Sequence, residues 1–153
     1  MIKDLDSKEC IKLLQNNYLG RLAYIRGKNP YVIPITYYYY DKADHSIISY
    51  SLEGHKIDAM RKKKLVSLAV DEIESITSWK SVLVHGKFEE LGGADAKNLL
   101  REFSQGVKNI INSDADKNVQ FIHEFSSKLG AEEASPIVYR IKIDEITGKY
   151  RAD

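Results

Sequence analysis

Cysteine is almost missing from this chain of 153 residues: Cys10 is the only one. No intramolecular disulfide can form, which fits a reducing compartment. No uninterrupted apolar run approaches the length of about 18 residues that a membrane-spanning helix needs. Neither sign of charge is in excess, since 23 basic and 22 acidic residues leave a formal net charge of +1. A general nucleic-acid binder carries a basic surplus, so that class is set aside. The opening residues Met1-Ile2-Lys3-Asp4-Leu5-Asp6 place acids where a secretory signal needs a basic and then an apolar stretch. The expectation is a soluble cytoplasmic protein with no membrane partner. Only 3 prolines and 9 glycines punctuate the chain, and no linker or repeat divides it. One domain covering residues 1–153 is expected.

The usual catalytic signatures are missing as well. There is no Gly-x-Ser-x-Gly, no His-Glu-x-x-His, no P-loop and no Gly-x-Gly-x-x-Gly. The four histidines, His45, His55, His85 and His123, are scattered without metal-ligand spacing, so no metal site is expected. No side chain stands out as a catalytic acid, base or nucleophile. If the protein is an enzyme, a bound organic cofactor supplies the reactivity.

What the chain does have is an ordinary globular balance, 43% hydrophobic and 29% charged, and an excess of tyrosine: 10, against 4 phenylalanines and 1 tryptophan. Asp6 with Glu9 three residues later forms a capping box, and Ile11, Leu14 and Tyr18 follow at helical spacing. From Gly20 the period changes to two. Strands are predicted over residues 21–25, 31–40, 47–51, 65–70, 79–91 and 137–143, with a turn at Gly27-Lys28-Asn29-Pro30. Pro34 cannot donate to a ladder and marks an edge, bulge or break. The first three strands read as an antiparallel meander. Helices are predicted over 54–63, 95–111 and 119–129. Sequential antiparallel strands with inserted helices suggest a small barrel, closed to remove its edges.

The richest stretch chemically runs Ser49-Tyr50-Ser51-Leu52-Glu53-Gly54-His55-Lys56. Hydroxyls end a strand, glycine turns the chain, and His55 and Lys56 begin a helix. Hydroxyls, free helix N–H groups and a lysine together suit a phosphate. A capped helix with a solvated basic face accounts for the same residues, and the sequence leaves both readings open. Arg61-Lys62-Lys63-Lys64 reads as a solvated helix end whose cations oppose the dipole. Tyr37-Tyr38-Tyr39-Tyr40 places rings on both faces of a strand; such rings also wall flat ligands or fill interfaces. Trp79 fits a core anchor or a stacking wall equally well. His85 reads as a strand-face residue, and Cys10 as a packed thiol.

The ordered set of segments says more than any one of them. Gly20-Arg21-Leu22-Ala23-Tyr24, Pro30-Tyr31-Val32-Ile33-Pro34-Ile35-Thr36-Tyr37, Ser51-Leu52-Glu53-Gly54-His55-Lys56-Ile57, Val66-Ser67-Leu68-Ala69-Val70-Asp71, Trp79-Lys80-Ser81-Val82-Leu83-Val84-His85-Gly86 and Val138-Tyr139-Arg140-Ile141 follow one another along nearly the whole chain. The set resembles the pyridoxamine 5′-phosphate oxidase-like flavoproteins, in particular the branch that includes nitroimidazole-resistance proteins. The resemblance implies an α+β fold, mainly β: a six-stranded antiparallel split β-barrel binding FMN at a homodimer interface. Pro34, Ile35, Thr36 and Tyr37 match the strand running past the flavin ring. Ser49, Tyr50 and Ser51 match the strand end near ring and phosphate. Lys56 matches the phosphate lysine, and His55 stands where the family often has arginine. Lys80 and Ser81 match positions that reach the flavin of the dimer. The implied activity is flavin-dependent redox chemistry on a small molecule such as a nitroaromatic, with NAD(P)H as donor. The alternative is a non-enzymatic flavin- or haem-binding protein of the same fold, with His55 or His85 as haem ligand.

Overall fold

Helix α1 (Ser7–Asn16) begins where the capping box places it. The Asp6 carboxylate accepts the Glu9 N–H at 2.8 Å, and the Glu9 carboxylate accepts the Asp6 N–H at 3.3 Å. Its inner face buries Cys10, Leu13 and Leu14. Burial, then Asp6 and Glu9, push the Cys10 thiol up, so it is a packed, protonated group.

The computed structural model describes residues 1–42, 44–112 and 136–153. Around α1 stand β1 (Ile2–Asp4), β2 (Leu19–Arg26), β3 (Asn29–Thr36), β4 (Tyr38–Tyr40), β5 (Ser46–Ser51), α2 (His55–Lys62), β6 (Leu65–Ser75), β7 (Ser78–Glu90), α3 (Gly93–Asn112) and β8 (Ile137–Ala152). The expected six strands are therefore corrected to eight among the described residues. β1 is an addition, and the run 31–40 divides at Tyr37. The helix expected over 119–129 lies outside the described residues.

Every strand pairing is antiparallel, and the ladder runs β3-β2-β6-β7-β8-β5-β4 with β1 added to β8. β3 and β4 are one residue apart in the chain yet sit at opposite ends of this ladder. Only a sheet curled back on itself allows that, so the sheet is a barrel with an open seam. The expected meander is corrected accordingly: β2 pairs with β3 and β4 with β5, but β3 and β5 are not neighbours. The switch is made at Tyr37, whose N–H donates to the Tyr18 carbonyl at 2.8 Å instead of to a ladder partner. Ser49 stitches the seam from β5, its hydroxyl donating to the Thr36 carbonyl at 2.7 Å. Pro34 sits on the terminal strand β3, where a missing donor does no harm.

Alternation sorts the side chains. Leu22, Tyr24, Leu68, Val82 and Val84 point inward and meet α1 and the Ile57, Ala59 and Met60 face of α2. Helix α3 closes a second cluster with Ile48, Phe103, Val107 and Val138. Ile47 and Ile48 thus face different clusters, as a strand buried on both sides requires. The other face of β2, β3, β6 and β7 carries Arg21, Val32, Pro34, Leu83 and His85, all exposed.

β8 makes room for one extra residue. His85 pairs with Glu145 and Gly86 with Ile143, so Asp144 bulges. At that point a Cβ on Gly86 would stand 2.3 Å from the Lys142 carbonyl oxygen and 2.6 Å from the Ile141 Cγ2. Gly86→Ala is expected to cost about 1–3 kcal/mol by forcing the strands apart. Urea unfolding reads this as a lower midpoint; an unchanged midpoint would show that the bulge yields freely.

Candidate functional site

β5 delivers Ser49, Tyr50 and Ser51 to the start of α2 through a three-residue turn. Gly54 caps that helix with an extended backbone and no side-chain hydrogen bond, so the first-turn N–H groups receive no acceptor from a capping side chain. Lys56 lies in this first turn. It is half-buried, and it forms no ion pair among the described residues. Burial lowers its pKa, because a cation taken from water without a counter-charge is disfavoured. A partly desolvated cation at the positive end of a helix favours an anion.

His55 precedes it, exposed but not loose. Its Nδ1 shares a 2.8 Å hydrogen bond with the Tyr24 hydroxyl. Its ring meets Tyr31 edge-on at 4.6 Å and Tyr24 at 5.7 Å. The two tyrosines are register partners in the β2–β3 hairpin and stack at 5.5 Å, 12° from parallel. Burial raises the Tyr24 phenol, with Tyr31 adding to the effect, so Tyr24 stays neutral beside His55. Hairpin and helix are thereby joined into one aromatic corner.

The other predicted residues are distributed as follows. Ser51 ends β5 half-buried, its hydroxyl donating to the Leu52 carbonyl at 2.9 Å. Ser49 is buried at the seam with Thr36. Ile35 and Tyr37 are core side chains, so only their backbone can meet a ligand. Tyr50 packs edge-on against Phe103 of α3 at 5.4 Å. Pro34 is exposed on the outer face, in a cleft of about 300 Å³ with Gly20, Arg21, Ala69 and Asp71. Ser81 points to that same face, opposite Asp71. Lys80 alternates with it and points toward α1, beside Glu9, Lys12 and Glu72. One chain thus places Ser51 on one side and His55 and Lys56 on the other side of the same three-residue turn, and separately bonds Ser49 to Thr36, but it sets Lys80 and Ser81 on opposite faces of β7.

Sequence reasoning missed the tyrosine pair, because only the hairpin register brings Tyr24 and Tyr31 to His55. It also missed a cross-strand hydrogen bond of 2.7 Å between Ser67 and the His85 Nδ1, in a cleft of about 330 Å³ that Tyr24 and Asp144 share. The basic run 61–64 is largely neutralised or tied down. Arg61 pairs with Glu53 at 2.8 Å and Glu90 at 2.7 Å, Lys62 with Asp58 at 3.5 Å, and Lys63 donates to the Gly27 carbonyl. No cluster of three metal-ligating side chains occurs among the described residues. No helix there is long and apolar enough to cross a membrane.

Comparison with known proteins bears on this arrangement. A family model described as pyridoxamine 5′-phosphate oxidase matches residues 6–150. An uncharacterised protein of Rhizobium meliloti (strain 1021) is 37% identical over 90 residues, which span 59% of this chain and 58% of that one. The crystal structure of an FAD-binding protein from Mesorhizobium loti is similar at a TM-score of 0.75 and 31% identity, covering 100% of this chain and 98% of that one. A Bacteroides thetaiotaomicron structure named for resistance to 5-nitroimidazole antibiotics is similar at a TM-score of 0.65 and 18% identity, covering 100% and 92%; at that identity the likeness is one of fold.

Proposed function

The chain belongs to the pyridoxamine 5′-phosphate oxidase family, and from that membership we propose that it binds a flavin by the 5′-phosphate at the β5–α2 corner and performs redox chemistry on a small molecule. The observation that carries this reading is Lys56, half-buried on the first turn of α2 and in no ion pair among the described residues. The donor set fits the group: one cation, the first-turn N–H groups and the imidazole of His55, whose Nδ1 is already fixed by Tyr24. FMN is the simplest such flavin. When bound, a flavin supplies hydride and electron transfer, with NAD(P)H as a donor class and nitroaromatics as an acceptor class to test.

The chain's own residues bind and orient. Lys56 neutralises phosphate charge. Tyr24 fixes the His55 ring. Thr36 and Ser49 hold the seam, tying β5 to the end of β3. A second copy of the chain completes the site in this reading. Support comes from the outer face, where Val32 is 63% exposed and, at the β6–β7 hairpin, Ile73 is 72% and Ile76 85% exposed. These exposed apolar side chains are available for an interface to cover.

The test adds FMN to the purified protein and records its visible spectrum and sedimentation together. The expected result is a bound-flavin spectrum on a dimer, bleached anaerobically by NADH or NADPH. Val32→Glu is expected to shift the species toward monomer and weaken flavin uptake. A wild-type monomer that takes up no flavin would overturn the proposal.

A further inference from the structure

We propose that the cleft between the β2–β3 turn and the last turn of α2 holds the adenosine diphosphate half of a dinucleotide. The cleft has a volume of about 550 Å³, within the range of sites for small ligands. Four cations line it: Arg26 and Lys28 from the turn, Lys62 and Lys63 from the helix end. The acid paired with any of them is Asp58, 3.5 Å from Lys62. Arg26 and Lys28 form no ion pair among the described residues, whereas Arg61 and Arg140 are both matched by glutamates. The density of positive charge is therefore local and unbalanced, in a protein whose net charge is only +1.

The cleft is built rather than incidental. Gly27 adopts a positive φ of 62°, which places Arg26 and Lys28 on either side of a tight turn. The Lys63 ammonium donates to the Gly27 carbonyl at 2.7 Å and ties the helix end to that turn. Tyr31 forms part of the wall and is 36% exposed, an aromatic surface on which a purine can stack. Two linked phosphates match paired cations, and an arginine fork grips them bidentately. The same Tyr31 ring touches His55, so the cleft adjoins the β5–α2 corner. Two sources carry this chemistry: FAD, whose diphosphate would continue from that corner, or NAD(P)H bound on its own. The FAD source rests on the flavin reading above; the cleft's affinity for ADP does not.

Isothermal titration of the full chain with ADP tests it. ADP is expected to bind, more weakly as salt rises. Arg26→Gln with Lys28→Gln should reduce ADP affinity about tenfold or more while FMN uptake stays unchanged. Both changes lie on an exposed turn, and thermal unfolding checks that the fold persists. FAD as the source predicts that wild type prefers FAD to FMN and that the double variant loses the preference. NAD(P)H as the source predicts equal FAD and FMN affinities and an NADPH affinity that falls in the variant. Wild type that binds no ADP, or a double variant that binds it as tightly, overturns the inference. Binding of FMN without ADP would leave the flavin reading standing; binding of ADP without any flavin would do the reverse.

Discussion

Tyr37→Ala is expected to lower stability by about 3–5 kcal/mol, the range for removing a large aromatic side chain from a core. The ring is fully buried. Its hydroxyl donates to the Leu14 carbonyl at 2.9 Å, joining the barrel to α1, and its own N–H donates to Tyr18. The residue also stands at the one point where the chain leaves β3 for β4 across the seam. Tyr37→Phe keeps the ring and leaves the Leu14 carbonyl without that donor, at a cost of about 1–2 kcal/mol. Burial, then Glu72, raises the Tyr37 phenol well above its ordinary value. A raised folded-state pKa stabilises below the unfolded value and is lost above it. The unfolded phenol ionises near about pH 10, so wild type should lose stability as pH climbs past that point. Tyr37→Phe should show a flatter alkaline limb. Urea unfolding at neutral and alkaline pH measures both. An alanine variant within about 1 kcal/mol of wild type would place this ring outside the core.

How much of this was legible in the sequence depends on the range of each interaction. The capping box of Asp6 and Glu9 is local, and it was readable. So were Gly54 as the start of α2 and the inert character of Cys10. The tyrosine run 37–40 reads as a strand with rings on both faces; in the fold Tyr37 and Tyr39 enter the main core while Tyr38 and Tyr40 pack toward α3. What propensity could not show is that Tyr37 separates two strands, since β-branched and aromatic residues continue on both sides of it. The break is set by a distant carbonyl, that of Tyr18. The sequence places the last strand over 137–143, ending near Thr147-Gly148, where glycine disfavours strand. Long pairing with β7 overrides that preference as far as Ala152.

The candidate site divides in the same way. Ser51, His55 and Lys56 are neighbours in sequence, and the resemblance named them. Their surroundings are not neighbours. Tyr24 and Tyr31 reach His55 only through hairpin register, and Arg26 reaches Lys63 only because α2 docks on β2. The resemblance also gave Lys80 and Ser81 one role, yet strand periodicity turns them to opposite faces. Within a single chain only Ser81 shares a face with Pro34.

Lys56→Ala is expected to weaken flavin binding by about 1.5–3 kcal/mol, the worth of a charge-assisted phosphate contact. That is roughly a 10- to 150-fold rise in Kd. Lys56→Arg should retain most of the affinity, since the charge is kept, whereas Lys56→Gln should not. Linkage gives this prediction a second signature. Burial lowers the folded-state pKa of Lys56 below its ordinary value. Below that lowered pKa, holding the ammonium charged costs folding stability, and the cost fades as pH rises through it toward the ordinary value. Removing the charge should therefore raise the melting temperature of the flavin-free protein slightly at neutral pH while lowering that of the flavin-loaded protein. A phosphate dianion offsets the lysine's charge, so flavin affinity should fall as pH rises through the depressed pKa, and Lys56→Ala should abolish that fall. Titrations with FMN across neutral to alkaline pH, with melting curves of both forms, measure all of this. If Lys56→Ala binds FMN as tightly as wild type with the same pH profile, the phosphate is held elsewhere and the β5–α2 corner is only a helix start.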